Sequence, residues 1–194
     1  MHAYPLECED LVDDVLDDLD RLTEEVRAGF EGLSPDALAW KPAPDSWSVG
    51  ECLVHLARIN GLYRERLEQA LAKARRRGTK ATRPLRGRWF GRWFTRAVGP
   101  MGRSVRTPPI FRPRREVVEA GAMRAFLDEQ DALRELVISA RGLDLDAVRV
   151  VSPASPLFRF RASDALRILV EHEKRHLAQA DRVVASPGFP TVAA

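Results

Sequence analysis

Two histidines near the end of the chain stand at a spacing that suits a metal ion. His172 and His176 lie four positions apart in the segment HEKRH, so on a helix both imidazoles project from one face. Two imidazoles placed in this way can bind the same metal. The segment also matches H-E-x-x-H, the zinc signature of metalloproteases, in which Glu173 would act as the general base.

The rest of the chain argues against the protease interpretation. A metalloprotease of this kind needs a third ligand after H-E-x-x-H, but no histidine and no glutamate follows His176. The third ligand must therefore come from upstream. Of the other two histidines, His2 falls in a terminus that is expected to fray, which leaves His55 as the candidate.

Four amphipathic segments must position these histidines. Apolar residues recur at steps of three and four over about 8–31, 47–77, 114–141 and 163–185, which predicts four helices. No stretch shows clear strand alternation, so we predict an all-α four-helix bundle. On helical wheels, His55 and the HEKRH pair lie along the borders of their apolar arcs, so three imidazoles can point into one seam between two helices.

Residues at the segment boundaries predict where the helices begin and end. Asp45 or Ser46 is the expected N-cap of the second helix, and Ser163 is the expected N-cap of the fourth. Gly142 is expected to terminate the third helix.

A long basic insertion, residues 78–113, separates the second and third predicted helices. The net charge is only +3, yet residues 69–115 contain fifteen Lys or Arg and no acid, while residues 1–40 contain twelve acids and two Arg. We interpret the insertion first as a solvated lid. Alternatively, its arginines could attract an anionic substrate. We do not expect nucleic acid or an acidic membrane surface to be a partner.

Part of this insertion has helical periodicity. In RWFGRWFTRAVG, the tryptophans, the phenylalanines and the arginines each recur four positions apart, which predicts a short amphipathic helix. The later segment RTPPIFRP is expected to be extended because of its prolines.

The length of the chain favours a single domain spanning 1–194. Its cysteine content favours a reducing compartment. No apolar run approaches the length of a transmembrane helix, and the acidic N-terminus does not resemble a secretory signal. Cys8 and Cys52 form no disulfide framework, so we expect a cytoplasmic protein. We interpret Cys52, one turn before His55, as a buried and unreactive side chain.

Two motifs resemble those of the DinB-like, or DNA-damage-inducible, metalloprotein superfamily. DSWSVGECLVHLARI is similar to its signature W-S-x-x-E-x-x-x-H-[LI], and HEKRHLAQ is similar to H-[DE]-x-x-H-x-x-Q. RTPPIFRP also resembles a proline-rich segment before the third helix of such proteins. The resemblance spans about residues 10–185 and implies a four-helix bundle that holds a divalent metal with His55, His172 and His176.

The resemblance also implies an activity. Relatives include S-transferases that use bacillithiol, mycothiol or glutathione, and a mycothiol-dependent maleylpyruvate isomerase; their metals include zinc, nickel, iron and manganese. We expect zinc or nickel as the metal, a low-molecular-weight thiol and an electrophile as small-molecule partners, and a homodimer.

Two features of the chain depart from the family pattern. Arg175 replaces a common histidine and is expected to face outward, and the insertion is longer and more basic than usual.

These residues lead to a hypothesis of metal-dependent thiol S-transfer. A non-catalytic metal-binding stress-response bundle and a metal-dependent hydrolase are the alternatives. Glu173 is the candidate catalytic base, and both Glu173 and Glu51 could instead orient a ligand histidine through a hydrogen bond. Gln179 matches the family glutamine and is expected near the site. Trp47 is expected to pack at the start of the second helix.

Overall fold

The chain is mostly helical. The computed structural model describes residues 6–86, 89–100, 102, 111–113, 121–153 and 155–190. Its elements are α1 (Cys8–Phe30), α2 (Pro35–Ala39), α3 (Val49–Arg76), α4 (Trp89–Val98), α5 (Ala122–Ser139), β1 (Arg149–Val151), β2 (Arg159–Arg161) and α6 (Ala162–Val184). None of the described helices is both long and apolar enough to cross a membrane.

The four long helices share one apolar core. Helix α3 packs against both α5 and α6, and α1 packs against the same two helices. Their inward stripes follow the predicted periodicity and are almost fully buried; examples are Leu11, Leu53, Leu56, Phe126, Leu133 and Leu169. The α3–α6 contact matters most for function, because it brings the second and fourth predicted helices side by side.

The predicted third helix is partly outside the described residues. We expected it over 114–141, and the structure has α5 at Ala122–Ser139, while 114–120 is not described. Gly142 lies just beyond the helix with φ +74°, a conformation that glycine adopts without steric cost.

Both predicted N-caps were wrong. Helix α3 is capped by Ser48, whose hydroxyl accepts from the Glu51 amide at 3.1 Å while the Glu51 carboxylate accepts from the Ser48 amide at 3.0 Å. Helix α6 begins directly after β2, with Arg161 at the cap position. Ser163 therefore lies inside the helix, and its hydroxyl donates to Asp146 at 2.5 Å.

A small antiparallel sheet was not predicted. Strands β1 and β2 pair three residues each, with Val150 opposite Phe160. Segments of this length are too short to show alternation in the sequence. Their pairing places the turn between them beside the short helix α4.

Helix α4 confirms the helical periodicity of the aromatic segment, and it packs on α6. Phe94 packs against Phe160 with ring centroids 4.9 Å apart and the rings tilted by 51°. Gly91 faces Asp164 so closely that a Cβ atom there would lie 2.2 Å from the Asp164 Cγ. A glycine is therefore required where α4 crosses the beginning of α6. The proline-rich segment RTPPIFRP lies mainly outside the described residues, apart from 111–113.

Candidate metal centre

The three predicted histidines come together in the fold. His55 projects from α3, and His172 and His176 project from α6 one helical turn apart. Their candidate ligand nitrogens all lie within 4.8 Å of one another, and no other such group of metal-binding side chains occurs among the described residues. The ring centroid of His176 lies 4.6 Å from that of His55 and 4.6 Å from that of His172. The cluster depends on the α3–α6 packing, because the sequence separates His55 from the other two by more than 100 residues.

Hydrogen bonds orient two of the imidazoles. The Nδ1 of His55 lies 2.8 Å from the carbonyl oxygen of Phe111, and the Nδ1 of His176 lies 3.0 Å from the side-chain oxygen of Gln179. Since both partners are acceptors, each Nδ1 must carry the proton. Each Nε2 then keeps a free lone pair, which is the form that a metal requires.

His172 completes the donor set. Its Nε2 lies 3.4 Å from the Nε2 of His55. Two nitrogens bound to one tetrahedral metal at about 2.0–2.1 Å are separated by about 3.3–3.4 Å, so this spacing fits a shared zinc-like ion. The Nδ1 of His172 is buried and has no hydrogen-bond partner within the described structure. Because no hydrogen bond at Nδ1 fixes the tautomer of His172, its Nε2 can carry the lone pair that a metal requires.

Burial keeps the histidines neutral. Desolvation lowers the pKa of His55, and it lowers the pKa of His172 well below its usual range with the help of the neighbouring imidazoles. Burial, followed by the charge effect of His55, lowers the pKa of His176 to about 3. Neutral imidazoles at physiological pH are ready to bind a metal without first losing a proton.

A large cavity of about 1230 Å³ opens over the histidines. Helix α4 contributes apolar side chains to its lining, including Phe94 and Val98. Four basic side chains and two acidic ones line the cavity: Lys41, Arg112, Arg175, Arg182, Asp45 and Glu51. The cavity therefore has room for a small molecule with an apolar part and an anionic part.

A family comparison agrees with this geometry. The sequence model of the DinB superfamily matches residues 18–180, a range that includes all three histidines. The chain belongs to the DinB superfamily. Comparisons with curated proteins and with solved structures give no significant match. DinB-like proteins bind metal, and the His55–His172–His176 cluster of this DinB member could hold a metal ion.

Trp47 does more in this DinB domain than pack at the start of the helix. Its ring stacks on His176 at 5.4 Å with an interplanar angle of 17°, and it meets His55 edge-on at 4.9 Å. It also lines the cavity. The indole therefore shields two candidate ligands from water and restricts their rotation, a role that the W-S motif alone did not reveal.

Arg175 does not face outward, contrary to the expectation. Its Nη1 donates to the carbonyl oxygens of Gly99 at 3.2 Å and Gly102 at 3.1 Å, just beyond the end of α4. The guanidinium thereby satisfies carbonyls at a helix C-terminus, where a positive charge is favourable. The residue that precedes His176 thus connects α6 to the cavity wall.

Glu173, the predicted catalytic base, is fully buried on the core side of α6. Its carboxylate accepts from the Asn60 amide at 2.7 Å and from the Gln130 amide at 2.9 Å. Burial raises its pKa to about 7, against the opposing effect of these two hydrogen bonds. Glu173 is not among the side chains that line the cavity. Its catalytic role stays a prediction, and its observed contacts join α3, α5 and α6.

Of the other two polar residues predicted near the site, Glu51 is engaged elsewhere and Gln179 contacts a histidine. Glu51 caps α3 and forms an ion pair with Lys41 at 2.7 Å, so its carboxylate is engaged away from the histidines. Gln179 lies near the site, as the family motif suggested, and its side-chain oxygen accepts from the Nδ1 of His176. The Phe111 carbonyl was missed because a backbone acceptor leaves no signal in the sequence.

Neither cysteine resembles a nucleophile. Cys52 is fully buried, and desolvation raises the pKa of its thiol to about 12. Burial also raises the pKa of Cys8 to about 11, and its thiol donates to the Leu143 carbonyl. The interpretation of Cys52 as a buried side chain is confirmed, and a reactive thiol would have to come from a ligand.

Proposed function

We propose that His55, His172 and His176 bind one divalent transition metal and that the protein is a metal-dependent S-transferase for a low-molecular-weight thiol. Zinc or nickel is the expected ion, and iron or manganese is also compatible with three imidazoles. The observation that carries this proposal is the convergence of three neutral imidazoles at one side of a large cavity. A four-helix bundle with a basic insertion at 78–113 is the architecture that we propose for the site.

The donor set supports an open coordination position. Three protein ligands are typical of catalytic zinc sites, whereas closed sites use four. When bound, a divalent ion with neutral ligands strongly lowers the pKa of a coordinated thiol. The chemistry would then form a bond between the thiolate sulfur and an electrophilic carbon, while the leaving group departs with its electron pair and the thiol proton passes to solvent.

The remaining side chains would position the reactants. Arg182 lines the cavity and can pair with a carboxylate of a thiol such as glutathione. Phe94 and Val98 form an apolar wall suited to the electrophile. Trp47 packs against two histidines and keeps water from them. No cysteine of the chain is required.

Metal content is the first test. Tag-free wild type, His176→Ala, His55→Ala and the control His2→Ala would be purified together and measured by mass spectrometry. We expect about one equivalent of a transition metal in the wild type and in His2→Ala, and a large loss in the two ligand variants. A wild type that contains no metal and also fails to bind added zinc or nickel would contradict the proposal.

Activity would be tested on the metal-loaded protein. A panel of glutathione, mycothiol and bacillithiol would be combined with monobromobimane, which loses bromide when a thiolate attacks its carbon. We expect thioether formation that depends on the metal and on His176. If metal binds but no thiol is consumed faster than in solution, the metal site would stand and the S-transferase proposal would fail.

A further inference from the structure

Four exposed apolar side chains lie on α4 and on the neighbouring β1–β2 turn, which meet where the Phe158 ring lies 6.2 Å from both Phe90 and Phe94. Trp89 is 71% exposed and Trp93 is 58% exposed on α4; Leu157 at 88% and Phe158 at 41% lie on the turn between β1 and β2. Within the described ranges, the only other large exposed apolar side chain is Ile138, at 37%. Such clustering is unusual on a soluble surface and indicates a contact site.

The position of α4 prevents the tryptophans from turning inward. Phe90 stacks on Phe160 at 5.8 Å, and Phe94 packs against the same ring, so the inner face of α4 is already used. Gly91 lies against Asp164 with no space for a side chain. Trp89 and Trp93 are therefore held on the outer face.

The same surface is basic. Arg92 and Arg96 are exposed on α4, and at about 100° per residue they fall with Trp89 and Trp93 within an arc of about 100°. Exposed Arg149 and Arg159 flank the turn that carries Leu157 and Phe158. Neither α4 nor residues 149–161 contain an aspartate or glutamate.

We propose that this Trp/Arg surface docks on an anionic lipid bilayer; it consists of Trp89, Arg92, Trp93, Arg96, Arg149, Leu157, Phe158 and Arg159. Tryptophan favours the membrane interface, where its ring is apolar and its N–H is hydrated. Arginines beside it can pair with lipid phosphates. A row of apolar residues with arginines alongside is the pattern of helices that lie on membranes.

Charge complementarity decides between an anionic bilayer and the other occupants. A second copy of the chain docked through the same surface would place arginines against arginines, which is unfavourable. Nucleic acid would match the arginines but would leave Leu157 and Phe158 without an apolar partner. A bilayer satisfies both the charges and the apolar side chains. This reverses the expectation from the sequence, which did not show which aromatic rings α4 leaves exposed.

The Trp/Arg surface adjoins the cavity of the metal centre, but lipid binding there does not require the metal. Trp93 also lines the cavity over the histidines. A docked protein would therefore hold one wall of that cavity at the bilayer. Binding to the bilayer requires no metal, so it can be tested independently of the proposed activity.

Vesicle sedimentation tests the proposal. Full-length protein would be mixed with vesicles of phosphatidylglycerol and phosphatidylcholine in equal parts, and with vesicles of phosphatidylcholine alone. We expect binding at least tenfold stronger to the anionic vesicles and weaker binding in high salt. Arg92→Gln/Arg96→Gln should bind about 25-fold more weakly, since each arginine near an anionic surface contributes about fivefold.

A second variant and a control isolate the surface. Trp89→Ser/Trp93→Ser should lose vesicle binding while still unfolding in one cooperative transition, because both side chains are more than half exposed. The control Arg124→Gln/Ile138→Ser removes an exposed arginine and an exposed apolar side chain from α5 and should bind like the wild type.

Three results would overturn the proposal. The first is no sedimentation with anionic vesicles, or equal sedimentation with neutral ones. The second is self-association without lipid that disappears in Trp89→Ser/Trp93→Ser, which would make a second copy the occupant. The third is tighter binding to duplex DNA than to anionic vesicles under the same salt conditions.

Discussion

The Nδ1 of His176 lies 3.0 Å from the side-chain oxygen of Gln179, one turn further along α6. Because the amide oxygen accepts the Nδ1 proton, the Nε2 lone pair of His176 is free for a metal. One residue outside the candidate ligand set thus determines which nitrogen of His176 can bind.

Gln179→Ala is therefore expected to weaken metal binding by about 10- to 100-fold, the usual effect of losing such an orienting partner. Competition with a chelating dye would measure the affinity. Gln179→Glu keeps an acceptor at the same place and serves as the matched control, with affinity close to that of the wild type. Equal affinity in Gln179→Ala and the wild type would show that the hydrogen bond is not needed.

Glu173 can be probed with two substitutions. Glu173→Gln should be tolerated, because Asn60 and Gln130 each have a buried amide oxygen without a partner and could rotate to accept from the new amide. Glu173→Leu leaves their amide groups without an acceptor and should lower the free energy of unfolding by about 2–5 kcal/mol. Urea denaturation would measure both variants.

The Glu173→Gln variant also tests the predicted catalytic role of Glu173. If Glu173 is a general base, Glu173→Gln should reduce turnover by about 10²–10⁴-fold while folding and metal content stay normal. Unchanged turnover in Glu173→Gln would restrict this residue to the core network.

Arg175→Ala should loosen α4. The variant loses the donors to the Gly99 and Gly102 carbonyls, and hydrogen bonds from a charged group contribute about 1.5–3 kcal/mol. We expect amide exchange in α4 to accelerate by about tenfold or more. Lys174→Ala is the control, because the partners of Lys174 are Asp18 on α1 and Glu171 on its own helix, and neither belongs to α4. Unchanged exchange in Arg175→Ala would show that other contacts hold α4.

Asp18 should make stability depend on pH in the acid range. Burial acts to raise its pKa, but hydrogen bonds from Arg21 and Lys174 outweigh burial and lower it below the usual value. The unfolded chain therefore takes up the proton first as the pH falls. The stabilisation is complete above the ordinary carboxyl pKa of about 3.9 and is lost as the pH drops through the folded value.

Asp18→Asn should accordingly be less stable than the wild type by a constant amount between about pH 5 and pH 8, and the difference should shrink below about pH 4. Urea denaturation of metal-free protein at several pH values would measure it. Asp17→Asn changes an exposed neighbour and serves as the control. A difference that grows as the pH falls would contradict the assigned direction.

The pair His172 and His176 could be read from the sequence, because a helix of 3.6 residues per turn places i and i+4 on one face regardless of what surrounds it. The stripes that built α1, α3 and α6 were equally visible, since burial of one helix face demands apolar residues at that period. The family motifs added Gln179. Sequence alone also indicated the helix at Trp89–Val98, but not which of its rings would be exposed.

Only the tertiary structure decided which side chains of different helices contact each other. His55 becomes a partner of His172 because α3 and α6 pack together, and its orientation depends on a backbone carbonyl, that of Phe111. Arg175 turns toward α4 because the carbonyls there need donors. Glu173 lies between Asn60 and Gln130 rather than at the cavity. Periodicity determines which face of a helix a residue occupies, whereas the partner on the other side depends on long-range packing that a local pattern does not contain.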